Sequence, residues 1–587
     1  MLVMVPNKLF VVLIGILLDV HCLEFLKKEF QKPNLQVKTE SGRVQGTRLQ
    51  SKSLKRGYYY AFMGIPYAQP PVGDLRFRSP KWVRNWPGVL DGSKQGSACV
   101  EVVLRISTGT SIVTGEEDCL FLNVFTKTNP ATVKQLKPVM VFIHGGGYIL
   151  GSSDVKIYGP DLLVAKDVLV VTLNYRLGVF GFLSTEDLAS PGNYGLKDQN
   201  LALRWIQRNI KYFGGDPDNV MIFGHSAGSI SSHLHMLSPK SRGLFHKVLL
   251  ESGSALCLWG SQRKPRNMAY LLGVANGITH PRDSYELVEK LREIDLEELK
   301  KTLLGVALTG TSQSLFTGLP YAPTLEEDHE EAFLTRNNWY EMLATGNFYH
   351  VPVVMGMNSN ESLFFLQEAM IAQPLLVLFD LDNSLITPPS MNISNKETST
   401  IVGRMIRDHF LGENNRMSTV DIMELMNYLS QDNFLRPLWK TAELMNRYIP
   451  LYFYYFKYES ELGRYGLPAG REYPGIRGVS HEEEVHFIFN KLKDYSKNRT
   501  DYVVREWMLT LWTNFAKYSN PTPSVGRGNS ALGNIVWPRF SSNASSRTNF
   551  LDIGDMLEVR HTPVNYDNIL WYEELFQKYG NPPFHNY

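Results

Sequence analysis

Short, continuous apolar runs alternate with helical patterns in the middle of this 587-residue chain. Residues 139–143, 168–173 and 220–223 are apolar almost throughout, whereas a strand with one wet face alternates apolar and polar residues. Such runs are typical of strands buried on both faces of a parallel sheet. Between the second and third runs, residues 196–213 carry an apolar stripe at helical spacing. The alternation predicts an α/β fold with a large, mostly parallel central sheet flanked by helices.

Two later apolar runs, residues 351–355 and 451–456, are expected to add strands to the same sheet. Residues 283–304 predict surface helices whose charges form a solvated face. The length alone allows about four domains. Neither an internal repeat nor a low-complexity linker divides the sequence, so a single large domain over residues 23–587 is expected.

The charge balance excludes some partners. The chain has 60 Lys+Arg against 58 Asp+Glu, a formal net charge of +2, whereas nucleic-acid binding leaves a strongly basic footprint. With 43% hydrophobic residues, the chain is also not intrinsically disordered. A globular protein without nucleic-acid partners is expected.

The first 22 residues are predicted to be a signal peptide. Lys8 precedes an apolar run at 9–18, which is too short for a bilayer and typical of a signal-peptide core. Cleavage is expected near Cys22, so that the mature chain begins near Leu23 and is secreted. A buried N-terminal helix is the alternative. Neither a later membrane span nor a C-terminal retention signal or anchor tail is expected.

Cysteines and glycosylation sequons fit that compartment. After cleavage three cysteines remain, and in an oxidising environment the expected bridge joins Cys99 to Cys119, which leaves Cys257 as a buried thiol. Sequons with expected glycans lie at Asn392, Asn498 and Asn543. A further sequon at Asn360 is not expected to be modified.

Residues 224–228 form a Gly-x-Ser-x-Gly motif directly after an apolar run and before a helical pattern. In this context the motif predicts a nucleophile elbow, in which a sharp strand-to-helix turn exposes a strained serine, Ser226. Flanking glycines are needed because the tight turn leaves no room for side chains. The helix that follows begins at the serine, so its dipole favours negative charge there.

A glycine triplet at 145–147 follows another apolar run and His144. Glycines at this place expose backbone N–H groups, which an anionic tetrahedral intermediate requires. The expected donors are the N–H groups of Gly146, Gly147 and Ala227. A merely flexible turn is the alternative, although both motifs end apolar strands, where α/β sheets build their sites.

Where this elbow occurs, the acid and then the histidine follow the serine along the chain. His481 lies in a loop after Gly478, and Glu361 follows the predicted strand at 351–355, so both fit that order. The residues alone leave both assignments open, because a lone His or Glu in a loop is usually structural.

Neither histidine pair in this part of the chain predicts a metal site. His481 and His486 resemble a zinc signature with one residue too many, and on a helix they would point about 140° apart. His233 and His235 are two residues apart and do not share a helix face. Neither a metal nor a cofactor is expected.

These motifs together resemble the type-B carboxylesterase/lipase family, which includes cholinesterases and secreted insect esterases. The resemblance runs from about residue 37 to about residue 572 and includes residues 63–68, 75–77, 117–124, 174–176, 195–199, 213–217 and 511–516. It implies the α/β-hydrolase fold, with Ser226 as nucleophile, Glu361 as acid and His481 as base. It also implies the Cys99–Cys119 bridge and the buried ion pairs Arg76–Glu117 and Arg176–Asp198.

The chain departs from the family pattern at several positions. Ser362 replaces the usual glycine after the acid, and His225 stands where many members carry Glu or Gln. Juvenile hormone esterases typically show Gln there, so His225 argues against that assignment. The Cys99–Cys119 loop lacks the tryptophan on which cholinesterases stack choline, which argues against a cholinesterase. Trp259 falls where relatives line the acyl pocket.

The resemblance therefore implies a secreted serine carboxylesterase that hydrolyses uncharged, largely apolar esters through an acyl-serine intermediate. A small-molecule ester is the expected partner. Juvenile hormone, pheromone and xenobiotic esterases remain open as specific roles. Proteins that sequester esters or organophosphates, or that act in adhesion, are the alternatives of another class.

Overall fold

The computed structural model describes residues 35–51, 57–103, 111–311, 318–335, 338–460, 476–489, 499–524, 531–541, 548–562, 564–584 and 586–587. The predicted signal peptide and the sequons at Asn498 and Asn543 lie outside these residues. Within them, no helix combines the length and apolar character needed to cross a bilayer.

An eleven-stranded sheet forms the centre of the described structure, in the order β16-β15-β14-β13-β12-β11-β9-β10-β8-β4-β3. Its strands are β3 (Thr47–Gln50), β4 (Tyr58–Pro66), β8 (Phe121–Thr126), β9 (Lys137–Ile143), β10 (Leu169–Leu173), β11 (Gly215–His225), β12 (Lys247–Glu251), β13 (Val353–Asn358), β14 (Leu451–Phe456), β15 (Phe550–Ile553) and β16 (Leu557–Arg560). Two small sheets hold β1 (Gln36–Lys38), β2 (Arg43–Gln45) and β5 (Val89–Asp91), and β6 (Glu101–Val103) and β7 (Ile112–Thr114).

The seven neighbouring strands β15, β14, β13, β12, β11, β9 and β10 pair in parallel. Strands β8, β4 and β3 at one edge and β16 at the other pair antiparallel. All the predicted runs contribute strands to the parallel part, namely β9, β10, β11, β13 and β14, although the runs at 168–173 and 351–355 begin one and two residues before their strands. Every side chain of β10 is buried, as expected for a strand covered on both faces. The antiparallel edges have no comparable apolar run; β3 and β16 are partly exposed, and their alternation gives a weaker signal.

Helices cover both faces of the sheet. In chain order they span Asp161–Ala165 (α1), Gly178–Phe182 (α2), Tyr194–Asn209 (α3), Ala227–Leu237 (α4), Pro265–Ala275 (α5), Ser284–Glu293 (α6), Leu296–Thr311 (α7), Trp339–Thr345 (α8), Leu366–Ala372 (α9), Val377–Leu381 (α10), Lys396–Leu411 (α11), Ile422–Ser430 (α12), Arg436–Met445 (α13), Arg499–Tyr518 (α14) and Tyr566–Tyr579 (α15). Helices α3 and α4 pack into one apolar core, and α14 packs into the other. The predicted α/β-hydrolase arrangement is confirmed.

Three contacts expected from the resemblance are present. Cys99 and Cys119 form a disulfide bond. Arg76 bonds Glu117 at 2.6 Å and Arg176 bonds Asp198 at 2.7 Å, and all four charged side chains are buried. Because breaking one partner of a buried pair leaves an uncompensated charge, these pairs fix the segments they join.

The two described sequon asparagines differ in exposure. Asn392 is exposed, and its side-chain amide donates to the carbonyl oxygens of Asn581 and Pro583. A glycan on Nδ2 would remove one of these donors. Asn360 is buried and bonds Asn427 and Ser430, which leaves no space for a glycan.

Candidate active site

Ser226 lies between the end of β11 and the start of α4, as the motif predicts. Its backbone has φ 57° and ψ −128°, a conformation that L-residues rarely adopt. Such strain persists only where the surrounding structure enforces it, and it is concentrated at functional sites. The serine is 8% exposed, so a small part of it remains open to solvent.

The glycines of the elbow are required by a close approach to β9. A Cβ atom on Gly224 would lie 2.3 Å from the carbonyl oxygen of Ile143, and one on Gly228 would lie 1.9 Å from the same oxygen. Ile143 is the last residue of β9 and directly precedes the His144 loop. The backbone of the elbow therefore packs directly against the end of β9, where the glycine loop begins.

The glycine loop turns away from β9 in conformations that favour glycine. Gly146 has φ 113° and Gly147 has φ 56°, and the Gly146 carbonyl accepts from the N–H groups of Ile149 and Leu150. Within the described residues, the N–H groups of Gly146 and Gly147 donate no hydrogen bond. The N–H of Ala227 opens a helix, where the first donors have no partner inside the helix.

Glu361 and His481 are in direct contact, although 120 residues separate them. The imidazole Nδ1 of His481 lies 2.6 Å from Oε2 of Glu361. The backbone N–H of His481 also donates to the backbone carbonyl oxygen of Glu361 at 3.2 Å. Because an ionised carboxylate can only accept, Nδ1 carries the proton and Nε2 is left as an acceptor. The fold thus brings together Glu361 and His481, the two residues that the expected order of serine, acid and histidine had singled out.

The second carboxylate oxygen of Glu361 is also held. Oε1 accepts from the Ser252 hydroxyl and from the Asn358 N–H, both at 2.6 Å. Ser226 is tied to the same edge, because its N–H donates to the carbonyl oxygen of Glu251, the residue before Ser252. Parallel pairing aligns His225 with Glu251, and Glu251 with Gly356. The nucleophile and the acid therefore follow neighbouring positions at the carboxyl edge of one sheet.

Two further buried carboxylates, Glu251 and Glu484, were not predicted from the sequence. Glu484 accepts from Asn358 and from the Ser252 hydroxyl, and Glu251 accepts from the Trp512 N–H at 2.9 Å. Their positions in the sequence could have indicated them, because Glu251 ends an apolar run and Glu484 lies three residues after the predicted base.

These carboxylates affect one another's protonation. Burial, with a contribution from Glu361, raises the pKa of Glu484 to about 7. Burial and the charge of Glu484 hold the pKa of Glu251 well above its ordinary value. Burial lowers the pKa of His481, but the negative charge and hydrogen bond of Glu361 outweigh it, so the pKa of His481 is raised overall. The site thus favours the imidazolium form that a general base must reach.

Aromatic rings surround the imidazole of His481. Phe434, Phe364 and Trp259 lie 5.1, 5.8 and 6.4 Å from it between ring centroids. Trp259, expected at the acyl pocket, thus lies beside the predicted base. Such walls exclude water and favour apolar groups.

A π-helical turn over Gln431–Leu435, between α12 and α13, positions Phe434. Pro437 follows in the first turn of α13 and has no N–H to donate to an ordinary helical ladder. π-Helical turns occur frequently at functional sites. Here the turn directs one aromatic side chain to the base.

The sequence matches the model of the Carboxylesterase family over residues 33–568, which is more than half of the chain. This chain belongs to the carboxylesterase family.

Relatives of this carboxylesterase cover most of its length. Juvenile hormone esterase of Tribolium castaneum is 34% identical over 507 residues, which cover 83% of this chain and 84% of that protein. Esterase FE4 of Myzus persicae is 34% identical over 476 residues, covering 79% and 81%. A crystal structure of juvenile hormone esterase from Manduca sexta, with OTFP covalently attached, superposes with a TM-score of 0.79 at 26% identity, covering 93% of this chain and 99% of that one. The chain is a carboxylic ester hydrolase.

Burial keeps several other potentially reactive side chains of this carboxylesterase in their neutral forms. Burial lowers the pKa of His233 and of His235 to about 3 and raises the pKa of Cys257 to about 12. Cys257 is a buried free thiol, as predicted. These side chains stay neutral near pH 7.

Proposed function

We propose that the enzyme hydrolyses uncharged, largely apolar esters through an acyl-serine intermediate, with Ser226 as nucleophile, His481 as base and Glu361 as acid. One observation carries the proposal. The Glu361–His481 hydrogen bond lies at the same sheet edge as a serine held in a strained elbow. The covalent adduct in the Manduca sexta relative agrees with such chemistry.

In the first half-reaction, Oγ of Ser226 bonds to the ester carbonyl carbon while its proton passes to Nε2 of His481. Glu361 orients the imidazole and stabilises the imidazolium. The carbonyl oxygen becomes an oxyanion, which the N–H groups of Gly146, Gly147 and Ala227 would stabilise. The tetrahedral intermediate collapses, the C–O bond to the alcohol breaks, and the proton moves from His481 to the departing alcohol.

In the second half-reaction, water attacks the acyl carbon and gives its proton to His481. The carbon–Oγ bond then breaks, and the proton returns to Ser226 as the acid leaves. The aromatic walls support the assignment of apolar substrates. Juvenile hormone is a second candidate substrate because two relatives carry its name, although His225 departs from the residue typical of that group.

The decisive test replaces Ser226 with alanine. We expect hydrolysis of p-nitrophenyl butyrate to fall by several orders of magnitude, because the covalent route is lost. Near-normal turnover would contradict the proposal. Active-site titration of the natural enzyme, set beside its steady-state rate, separates a true catalyst from a protein that only sequesters esters.

We further propose that the enzyme is secreted and carries glycans on one or more of Asn392, Asn498 and Asn543. Expression of all 587 residues in insect cells should place active protein in the medium, and glycosidase treatment should increase its mobility on a gel. Retention of the enzyme inside the cells would contradict secretion.

A further inference from the structure

The base loop (residues 476–489) is fixed firmly to the acid side of the site. Asn358 donates to the Ser480 carbonyl at 2.8 Å, the Asn360 N–H donates to the Val479 carbonyl at 2.9 Å, and His481 bonds Glu361. These bonds set the base relative to the acid. Catalysis depends equally on the separation between the base and the nucleophile.

One contact reaches from the base loop to the elbow. Oε1 of Glu482, the residue after the base, lies 3.8 Å from Nε2 of His225, the residue before the nucleophile. The side chain of His225 is 3% exposed and that of Glu482 is 14% exposed, so water screens this contact only weakly. The pair therefore joins the immediate neighbours of Ser226 and His481.

His225 is itself held in place. Its ring stacks on Phe142 with 5.9 Å between centroids and an interplanar angle of 11°, and Tyr158 lies on another side at 6.1 Å. A Cβ atom on Gly145 would lie 2.6 Å from Nε2, so the ring also packs against the start of the glycine loop. His225 thus contacts the strand, the glycine loop and the base loop.

The backbone conformation of Glu482 supports a functional role for its side chain. Its φ of 76° lies in the left-handed region, where glycine is relaxed and a residue with a Cβ is strained. An observed outlier of this kind supports a functional hypothesis. A glutamate thus lies directly beside the base at a position where glycine would be less strained.

We propose that His225 and Glu482 form a positioning pair that sets the distance between the base loop and the nucleophile elbow. The inference rests on the proposed function, because it assigns the pair to Ser226 and His481. The carboxylate also acts on the base by charge. Three carboxylates raise the pKa of His481: Glu361 from the acid side, and Glu484 and Glu482 from the base loop. His225 faces Glu482 from the elbow.

The test uses Glu482→Gly and Glu482→Gln in the full enzyme, with kcat expressed per titrated active site. We expect kcat for p-nitrophenyl butyrate to fall about ten- to hundredfold with KM nearly unchanged, because the base is misplaced while substrate binding remains. The melting temperature of Glu482→Gly should be equal or higher, because strain is released. In Glu482→Gln the acid limb of the pH profile should move to lower pH, because one charge that raises the pKa of His481 is gone.

Glu186 offers a matched control. It is an exposed glutamate with φ 60°. Glu186→Gly releases similar strain and should leave kcat unchanged. A double variant, His225→Gln with Glu482→Gln, should be no slower than the slower single variant, as expected for residues that act together.

Unchanged kcat and pH profile in both Glu482 variants, with Ser226→Ala inactive, would overturn the pair and leave the proposed function intact. A loss of kcat in Glu482→Gly that accompanies a lower melting temperature would show a merely structural role and would also overturn it. Activity in Ser226→Ala would instead contradict the proposed function itself.

Discussion

The nucleophile and the acid–base pair are held by different means. Ser226 is held in its strained turn by backbone contacts of two glycines and of the surrounding strands, and the neighbouring His225 side chain adds one contact to the base loop. Glu361 and His481 are held by the hydrogen bond between their side chains and by the Ser252 hydroxyl and Asn358 N–H that donate to the Glu361 carboxylate. Glu484 in turn accepts from the Asn358 amide and the Ser252 hydroxyl. The first arrangement tolerates almost no added atoms, whereas the second depends on charge and hydrogen bonds. The two halves should therefore fail in different ways.

Among variants that keep Ser226, Glu361 and His481, the largest effect is expected from Gly228→Ala. The added methyl would lie 1.9 Å from the Ile143 oxygen and 2.8 Å from the His144 oxygen, so the elbow must move away from the glycine loop. We expect kcat to fall at least about a hundredfold and stability to fall by about 3 kcal/mol. Activity assays and thermal melts measure both.

Gly305→Ala is the matched control. Gly305 lies inside α7, and a Cβ atom there meets open space. We expect stability to stay level or rise by about 0.5–1 kcal/mol, with activity unchanged. If Gly228→Ala behaved like this control, backbone contact would not be what positions the nucleophile.

Acid should act on the side-chain half. His481 must be neutral to accept the proton of Ser226, and its pKa is raised above the ordinary 6.5. We therefore expect kcat/KM to reach half its plateau above pH 6.5 and to fall about tenfold per pH unit below that point. A pH–rate profile on a neutral ester measures this, and a midpoint below pH 6.5 would contradict it.

A smaller effect is expected from Ser252→Ala. The change removes a donor to Glu361 at 2.6 Å and to Glu484 at 3.3 Å, both buried. We expect a loss of about 1–3 kcal/mol in stability and a reduction in kcat of about tenfold, because the acid is less firmly oriented. Unfolding curves and kinetics test it; wild-type values for both would show that the Asn358 N–H alone fixes Glu361.

The smallest effect is expected from Glu484→Gln, measured as the pH dependence of stability. Burial raises the pKa of Glu484 to about 7 in the folded enzyme, so folding favours the protonated form. This contribution is fully present below the ordinary pKa of 4.5 and is lost as the pH rises through about 7. Unfolding midpoints of Glu484→Gln should therefore decline less between pH 5 and pH 8 than those of the natural enzyme (a window of about three units). Parallel curves would contradict the shift.

The sequence predicts the backbone half well. Runs such as 139–143 and 220–223 lie within the observed strands β9 and β11, and the elbow motif is local, so a few adjacent residues determine its shape. The side-chain half is less accessible. Chain order and resemblance placed Glu361 and His481, but the contacts of Ser252 with Glu361 and Glu484 join residues 109 and 232 positions apart. Strand order creates those contacts, and no local pattern encodes it.

The π-helical turn at Gln431–Leu435 has a consequence for how this pocket can diversify. Removing one residue there would restore the ordinary α-helical hydrogen-bond register. The part of the helix that carries Phe434 would then rotate by about 100° about the helix axis. The Phe434 ring beside His481 would point in a different direction, while the strands of the central sheet would keep their pairing register. We therefore expect a one-residue deletion in this turn to change which esters the enzyme accepts, because the aromatic side chain beside the base changes direction.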